Sequence, residues 1–374
     1  MKFNVSGKDL QTQLQAVSKV INSKNALSIL DNFLLKLEGN TLSITGGDQE
    51  NVMTATMEVI DPEGEGEIAI LAKRLLEVIK EINNQPLRFD IDLDTKEIKL
   101  TFNNGQFLFM GVDAAEYPRT KDREENALDF SLPGSVLVGG IEGTLFAVST
   151  DPIRPIMTGI YFDIEPEKLT FVSSDTHKLV KYQDTTAQPG VEDTFILPAK
   201  AANVLKSLVS KEEDTVKIIH ESKSATFVFG PYSLSTRLIK GVYPNYKRVF
   251  PKDNPYRLVV GREDMLNAVR RVALFASKAS NLIKFAIDPM KVQMGARDLD
   301  YGTSAEESVD CDYQGDPMMI GFNSTYMIEV LSNIKGDDVQ IDLADPARPG
   351  LFSPLEKQEG VEVVMLQMPM QVIE

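Results

Sequence analysis

The chain has 374 residues, 43% of them apolar and 25% charged, and a net charge of −16. That length exceeds one ordinary core and calls for two or three domains, while the composition excludes a disordered or fibrous chain. An acid surplus of this size also excludes a surface basic all over, the usual footprint of a nucleic-acid binder, so any such role depends on where the cations sit.

The opening MKFNVSGKDL has no apolar run and does not read as a secretory signal. Leu10, Leu14, Val17 and Ile21 then recur at helical spacing and predict a helix over 7–21. A second follows over 72–82 on Leu75, Leu76, Ile79 and Ile82. Leu137, Ile141, Leu145 and Val148 predict one over 134–148, and Val204, Leu205 and Leu208 one over 199–211. The last two are 261–278, on Met265, Val269, Val272 and Ala273, and 324–335, on Met327, Val330, Leu331 and Ile334. Between them, 98–102, 226–229 and 339–343 alternate β-branched or aromatic residues with polar ones, as strands do. The class is α+β with antiparallel sheet dominating. No segment approaches the roughly 18 apolar residues that span a bilayer, so no membrane role is expected.

An internal repeat organises these elements. Segments 37–49, 164–176 and 287–299 each read as a turn, an alternating apolar stretch and an Asp: Asp48, Asp175 and Asp298. Strand-to-helix junctions near 70, 197 and 321 keep the same step, as do Tyr117-Pro118, Tyr243-Pro244 and Met368-Pro369. The common period of about 125 residues is too long for a solenoid unit. It predicts three homologous domains, 1–122, 127–248 and 256–374, joined by polar or Pro-rich linkers at 119–127 and 249–256. Helix starts recur about every 62 to 65 residues, so each domain reads as a doubled half with two helices.

Cys311 is the sole cysteine, which excludes an internal disulfide framework and fits a reducing cytoplasm. With only two histidines a zinc site is not expected, and no phosphate-binding or dinucleotide fingerprint occurs. Asp175 and His177 lie beside Ser173 and Ser174, the one constellation that invites a hydrolase reading. No nucleophile elbow accompanies it, and residues two apart on an extended segment do not build a triad. Over the six helical windows, Lys and Arg outnumber Asp and Glu by about six, against the acidic balance of the whole. Lys24, Lys73, Arg74, Lys80, Lys200, Lys206, Arg270 and Arg271 lie on or beside these helices. Either they solvate ordinary helix faces, or the helices share a surface that meets a polyanion through weak, sequence-independent phosphate contacts.

The runs SSDTHKLV at 173–180, STRLIKGVYPNYKRVFP at 235–251 and IGFNSTYMIEVL at 320–331, with Met368-Pro369-Met370, resemble the β subunit of bacterial DNA polymerase III, the sliding-clamp family. The resemblance covers essentially the whole chain. It implies the DNA clamp fold, closed into a ring as a head-to-tail homodimer around duplex DNA, with no catalysis and no cofactor or metal. By position, Phe107 and Phe109 of one subunit would meet Leu274 and Phe275 of the other. The resemblance also implies one pocket per subunit that takes short linear motifs of the polymerase III alpha subunit, the clamp loader, other polymerases and repair proteins. Carried over, its lining is Met157, Ser174, Thr176, His177, Lys178, Leu179, Pro244, Arg248, Val249, Met368, Pro369 and Met370, and Lys24 falls where the family places a DNA-facing loop cation. Two departures stand out: Thr176 occupies a position usually glycine, and the tail after Met370 lacks the usual basic residue. A partner-collecting scaffold without DNA is the competing reading, and it predicts neither ring nor DNA retention.

Overall fold

The structure, a computed structural model, describes residues 1–22, 25–82, 84–118, 123–212 and 214–372. Its α-helices are α1 (Gly7–Ser18), α2 (Ala72–Ile82), α3 (Gly134–Thr144), α4 (Ala199–Leu208), α5 (Arg262–Ala273) and α6 (Ser324–Asn333). Each lies within its predicted window. Ser6 caps α1 through its hydroxyl, and the Asn323 side chain accepts the N–H groups of Thr325 and Tyr326 to start α6. α1 and α3 end earlier than their apolar periodicity. Beyond Ser18 and Thr144 the chain continues in tighter turns, with Ile21 bonded to Ser18 and Val148 to Leu145, which keeps the spacing without the α-helix.

Two compact units divide the chain: Met1–Ser135 with Lys200–Leu238, and Val136–Ala199 with Ile239–Glu374. The first holds two sheets. One has five strands in the order Ile60–Glu63, Lys2–Ser6, Pro86–Ile91, Glu97–Phe102 and Gly105–Met110. The other has eight, in which Tyr232–Arg237 pairs with Asn51–Glu58 so that Thr236 faces Asn51. The second unit is built on a twelve-stranded sheet whose fourth and fifth strands are Lys178–Asp184 and Val361–Gln367, with Lys178 opposite Gln367. All strand pairs among the described residues are antiparallel. The compact units therefore follow continuous sheets rather than the repeat period, because the central third of the chain gives half its strands to each.

The repeated Asp has one physical role in all three places. Asp48 accepts the N–H of Glu50 and Asn51, Asp175 those of His177 and Lys178, and Asp298 those of Asp300 and Tyr301. Each carboxylate mimics a backbone turn and reverses the chain after an inner strand. The helices differ in what they bury. α2 hides Ala72, Leu75, Ile79 and Ile82 and exposes Lys73, Arg74 and Lys80 on its other side. α3 is buried over most of its surface. At Gly140 a Cβ would come within 2.2 Å of the Phe171 ring, so only glycine lets the helix sit on that strand.

Candidate docking site

The hairpin joining Lys168–Ser174 to Lys178–Asp184 meets the 3-10 turns Pro155–Met157 and Tyr246–Arg248 and the end of Val361–Gln367, all within the second unit. Met157, Ser174, Thr176, His177, Lys178, Leu179, Tyr243, Pro244, Tyr246, Val249, Leu366 and Met368 line a cavity there of about 240 Å³. Nine of the twelve residues carried over by resemblance are thus brought together. Arg248 is exposed outside the lining, and Pro369 and Met370 are half-buried beyond it. Met370 is held by a backbone bridge from its N–H to Gly321 O at 2.8 Å, where a Cβ on residue 321 would come within 2.7 Å of Met370 O.

Three lining residues escaped the residue-by-residue reading: Tyr243, Tyr246 and Leu366. The two tyrosines lie in the YPNYKRV run, and their spacing carries the missed signal. Tyr243 stacks on Tyr161 with ring centres 4.7 Å apart, and Tyr246 donates its hydroxyl to Asp163 at 2.7 Å. Both phenols are held above the ordinary tyrosine range, by burial first and, for Tyr246, by the Asp163 carboxylate next. The Tyr243 hydroxyl is buried without a hydrogen-bond partner among the described residues.

The cavity rim is held by charge. Buried Lys178 pairs with Asp175 at 2.5 Å and with Glu329 at 2.6 Å, and its ammonium sits 4.8 Å from the Tyr326 ring centre. Burial alone would lower its pKa, but the two carboxylates outweigh it and hold the ammonium above its usual value. The His177 ring stacks on Tyr326 at 5.1 Å, and the His177 carbonyl accepts the N–H of Met368 at 3.0 Å. The Asp175 and His177 side chains are engaged separately. The Asp175 carboxylate serves two backbone N–H groups and Lys178, and among the described residues it makes no bond to the His177 ring. His177 and Lys178 also border a polar cavity of about 420 Å³ with Asp151, Arg154 and Glu329.

The predicted DNA-facing cations divide by what they touch. Lys73, Arg74, Lys80 and Lys206 are exposed and make no ion pair among the described residues. Arg270 reaches Ser332 at 3.5 Å, whereas Arg271 forks onto Glu307. The Lys200 ammonium donates to Val20 O, Asn22 Oδ1 and the buried Asp48 carboxylate at 2.6–2.7 Å. Lys24 lies outside the described residues. Gly105–Met110 is an edge strand exposing Phe107, with Phe109 half-buried; in the other unit Leu274 and Phe275 are exposed, Leu274 at 75%. Among the described residues no group of three or more His, Cys, Asp or Glu could hold a metal, and no helix is long and apolar enough to cross a membrane.

Six helices at a regular step, antiparallel sheets and an apolar surface cavity define a binding protein of the DNA-clamp class. Residues 1–121, 131–245 and 247–371 match, in turn, the N-terminal, central and C-terminal domains of the DNA polymerase III beta subunit. The chain belongs to that family, the bacterial beta sliding clamps. It is 29% identical to the beta sliding clamp of Synechococcus elongatus over 382 residues, covering all of both chains. Identity to the Escherichia coli clamp is 26% over 365 residues, covering 98% of this chain and 99% of that one. Among solved structures, the Bartonella birtlesii sliding clamp bound to griselimycin shares 26% identity over the full length of both chains, with a TM-score of 0.91. The Pseudomonas aeruginosa beta subunit shares 25% with a TM-score of 0.93, again over both full chains.

Proposed function

We propose that the chain is a sliding clamp: three domains, 1–122, 127–248 and 256–374, two copies of which close head-to-tail into a ring around duplex DNA. The ring tethers the replicative polymerase and other replication and repair proteins through the apolar cavity and catalyses nothing. The observation that carries this reading is that cavity, assembled from four distant segments of a chain in the clamp family. Its methionines give an adaptable apolar lining that suits varied short motifs. Exposed cations of α2, α4 and α5 face the DNA with weak phosphate contacts that permit sliding, since a closed ring holds by linkage rather than affinity. The exposed edge strand with Phe107 and Phe109 joins Leu274 and Phe275 of a second copy, a heterologous contact that closes after two steps. The place of action is the cytoplasm.

The test is primer extension on a long single-stranded circle with the polymerase III alpha subunit, clamp loader and ATP. The intact chain should convert short products into full-length ones. A chain truncated after Gln367, which loses Met368 from the cavity, should still dimerise but give only short products. Full-length synthesis by the truncated chain would refute docking at this cavity.

A further inference from the structure

Thr176 has φ +80°, the only β-branched side chain among the described non-glycine residues with positive φ. That conformation costs a β-branched residue much and glycine nothing, so it persists only where its surroundings over-determine it. Here they do. Ser174 Oγ accepts the Thr176 N–H at 3.1 Å and donates to Lys178 O at 2.8 Å. Asp175 Oδ1 accepts the next two N–H groups at 3.0 and 2.9 Å, and its other oxygen holds Lys178. No hydrogen bond within the described residues uses the Thr176 hydroxyl, so the side chain itself adds nothing to the bonds that hold the turn. Thr176, exposed to solvent, is one of the residues that line the cavity, with Met157, Leu179, Val249 and Met368.

We propose that Thr176 is a specificity-determining residue of the docking cavity: its β-branched side chain, fixed in place by the turn, narrows the cavity so that it takes a slim aliphatic anchor and rejects an aromatic one. The inference rests on the cavity being the docking site. A mobile side chain could swing aside for a bulky anchor, but one that sits in a turn held by four hydrogen bonds, with χ1 restricted by branching, cannot do so freely. Bulk, not the hydroxyl, is the discriminating feature.

The chain contains no tryptophan, so a tryptophan-bearing peptide supplies the only indole emission in a titration. The probes are Trp-Ser-Asp-Leu-Val and Trp-Ser-Asp-Leu-Phe, titrated against the intact chain to about 1 mM, the range of weak motif binding. Wild type should bind the Val-ended peptide more tightly. Thr176→Gly, which suits the positive φ and should fold, should tighten the Phe-ended peptide about tenfold or more and leave the other within about twofold, the scale set by single apolar groups in a pocket. Thr176→Val keeps the shape and should keep the wild-type ratio. An unchanged ratio in Thr176→Gly, or a lost preference in Thr176→Val, overturns this inference alone. Failure of wild type to bind either peptide overturns the docking reading and this inference with it.

Discussion

Replacing Lys200 with Met removes an ammonium while keeping the length of the side chain. Three acceptors lose their donor, and one is the Asp48 carboxylate, only 5% exposed against 35% for Lys200. Removing one partner of a fully buried pair costs about 3–5 kcal/mol; with the lysine a third open to water, about 2–3 kcal/mol is expected here. For a compact unit of ordinary domain size that lowers Tm by roughly 5–10 °C. The loss depends on pH in a defined direction. Burial would raise the Asp48 pKa, but Lys200 and the N–H groups of Glu50 and Asn51 outweigh it and hold the carboxyl below the ordinary aspartate value. A carboxyl depressed in the folded state stabilises the fold above its unfolded pKa, and the contribution vanishes as pH falls through the folded value. The variant should therefore melt well below wild type at neutral pH, and most of the gap should close in acid, once Asp48 is protonated. Calorimetry across that range decides the matter. A wild-type Tm at neutral pH together with weakened DNA retention would refute the reasoning and put the Lys200 ammonium on DNA.

Leu274→Asp with Phe275→Asp adds two charges to an exposed apolar patch and should leave monomers in sedimentation velocity at micromolar concentration, with unchanged circular dichroism; persistent dimers would exclude that patch from the interface. Tyr243→Phe removes a hydroxyl that is buried without a partner, a state costing about 1–3 kcal/mol, so the variant should be as stable as wild type or up to about 1 kcal/mol more so. A clear loss in urea unfolding would mean that the hydroxyl is bonded.

The repeat made most of the architecture legible. Apolar periodicity placed all six helix starts, since burying Leu10, Leu14 and Val17, or Met327, Val330 and Leu331, requires helical spacing. The repeated Asp marked the hairpins because a carboxylate two residues before a turn has a fixed local task. Sheet continuity was not legible: nothing in Lys178–Asp184 or Val361–Gln367 alone names the other as partner, as the register joining them is non-local. The cavity was legible only through family resemblance, for its lining comes from segments up to about 200 residues apart that no local pattern connects. Lys200 and Arg271 show the limit of charge counting, which registers an ammonium or guanidinium but not the carboxylate that occupies it.

The central claim is topological, and retention on nicked circular plasmid tests it most directly, with clamp loader and ATP present and the DNA examined before and after linearisation. The account predicts that the protein stays with the circle through gel filtration at moderate salt and is lost once the plasmid is cut. Equal retention on circular and linear DNA would contradict it, since ordinary phosphate binding does not distinguish the two, and no retention on the circle with an active loader would contradict it as well.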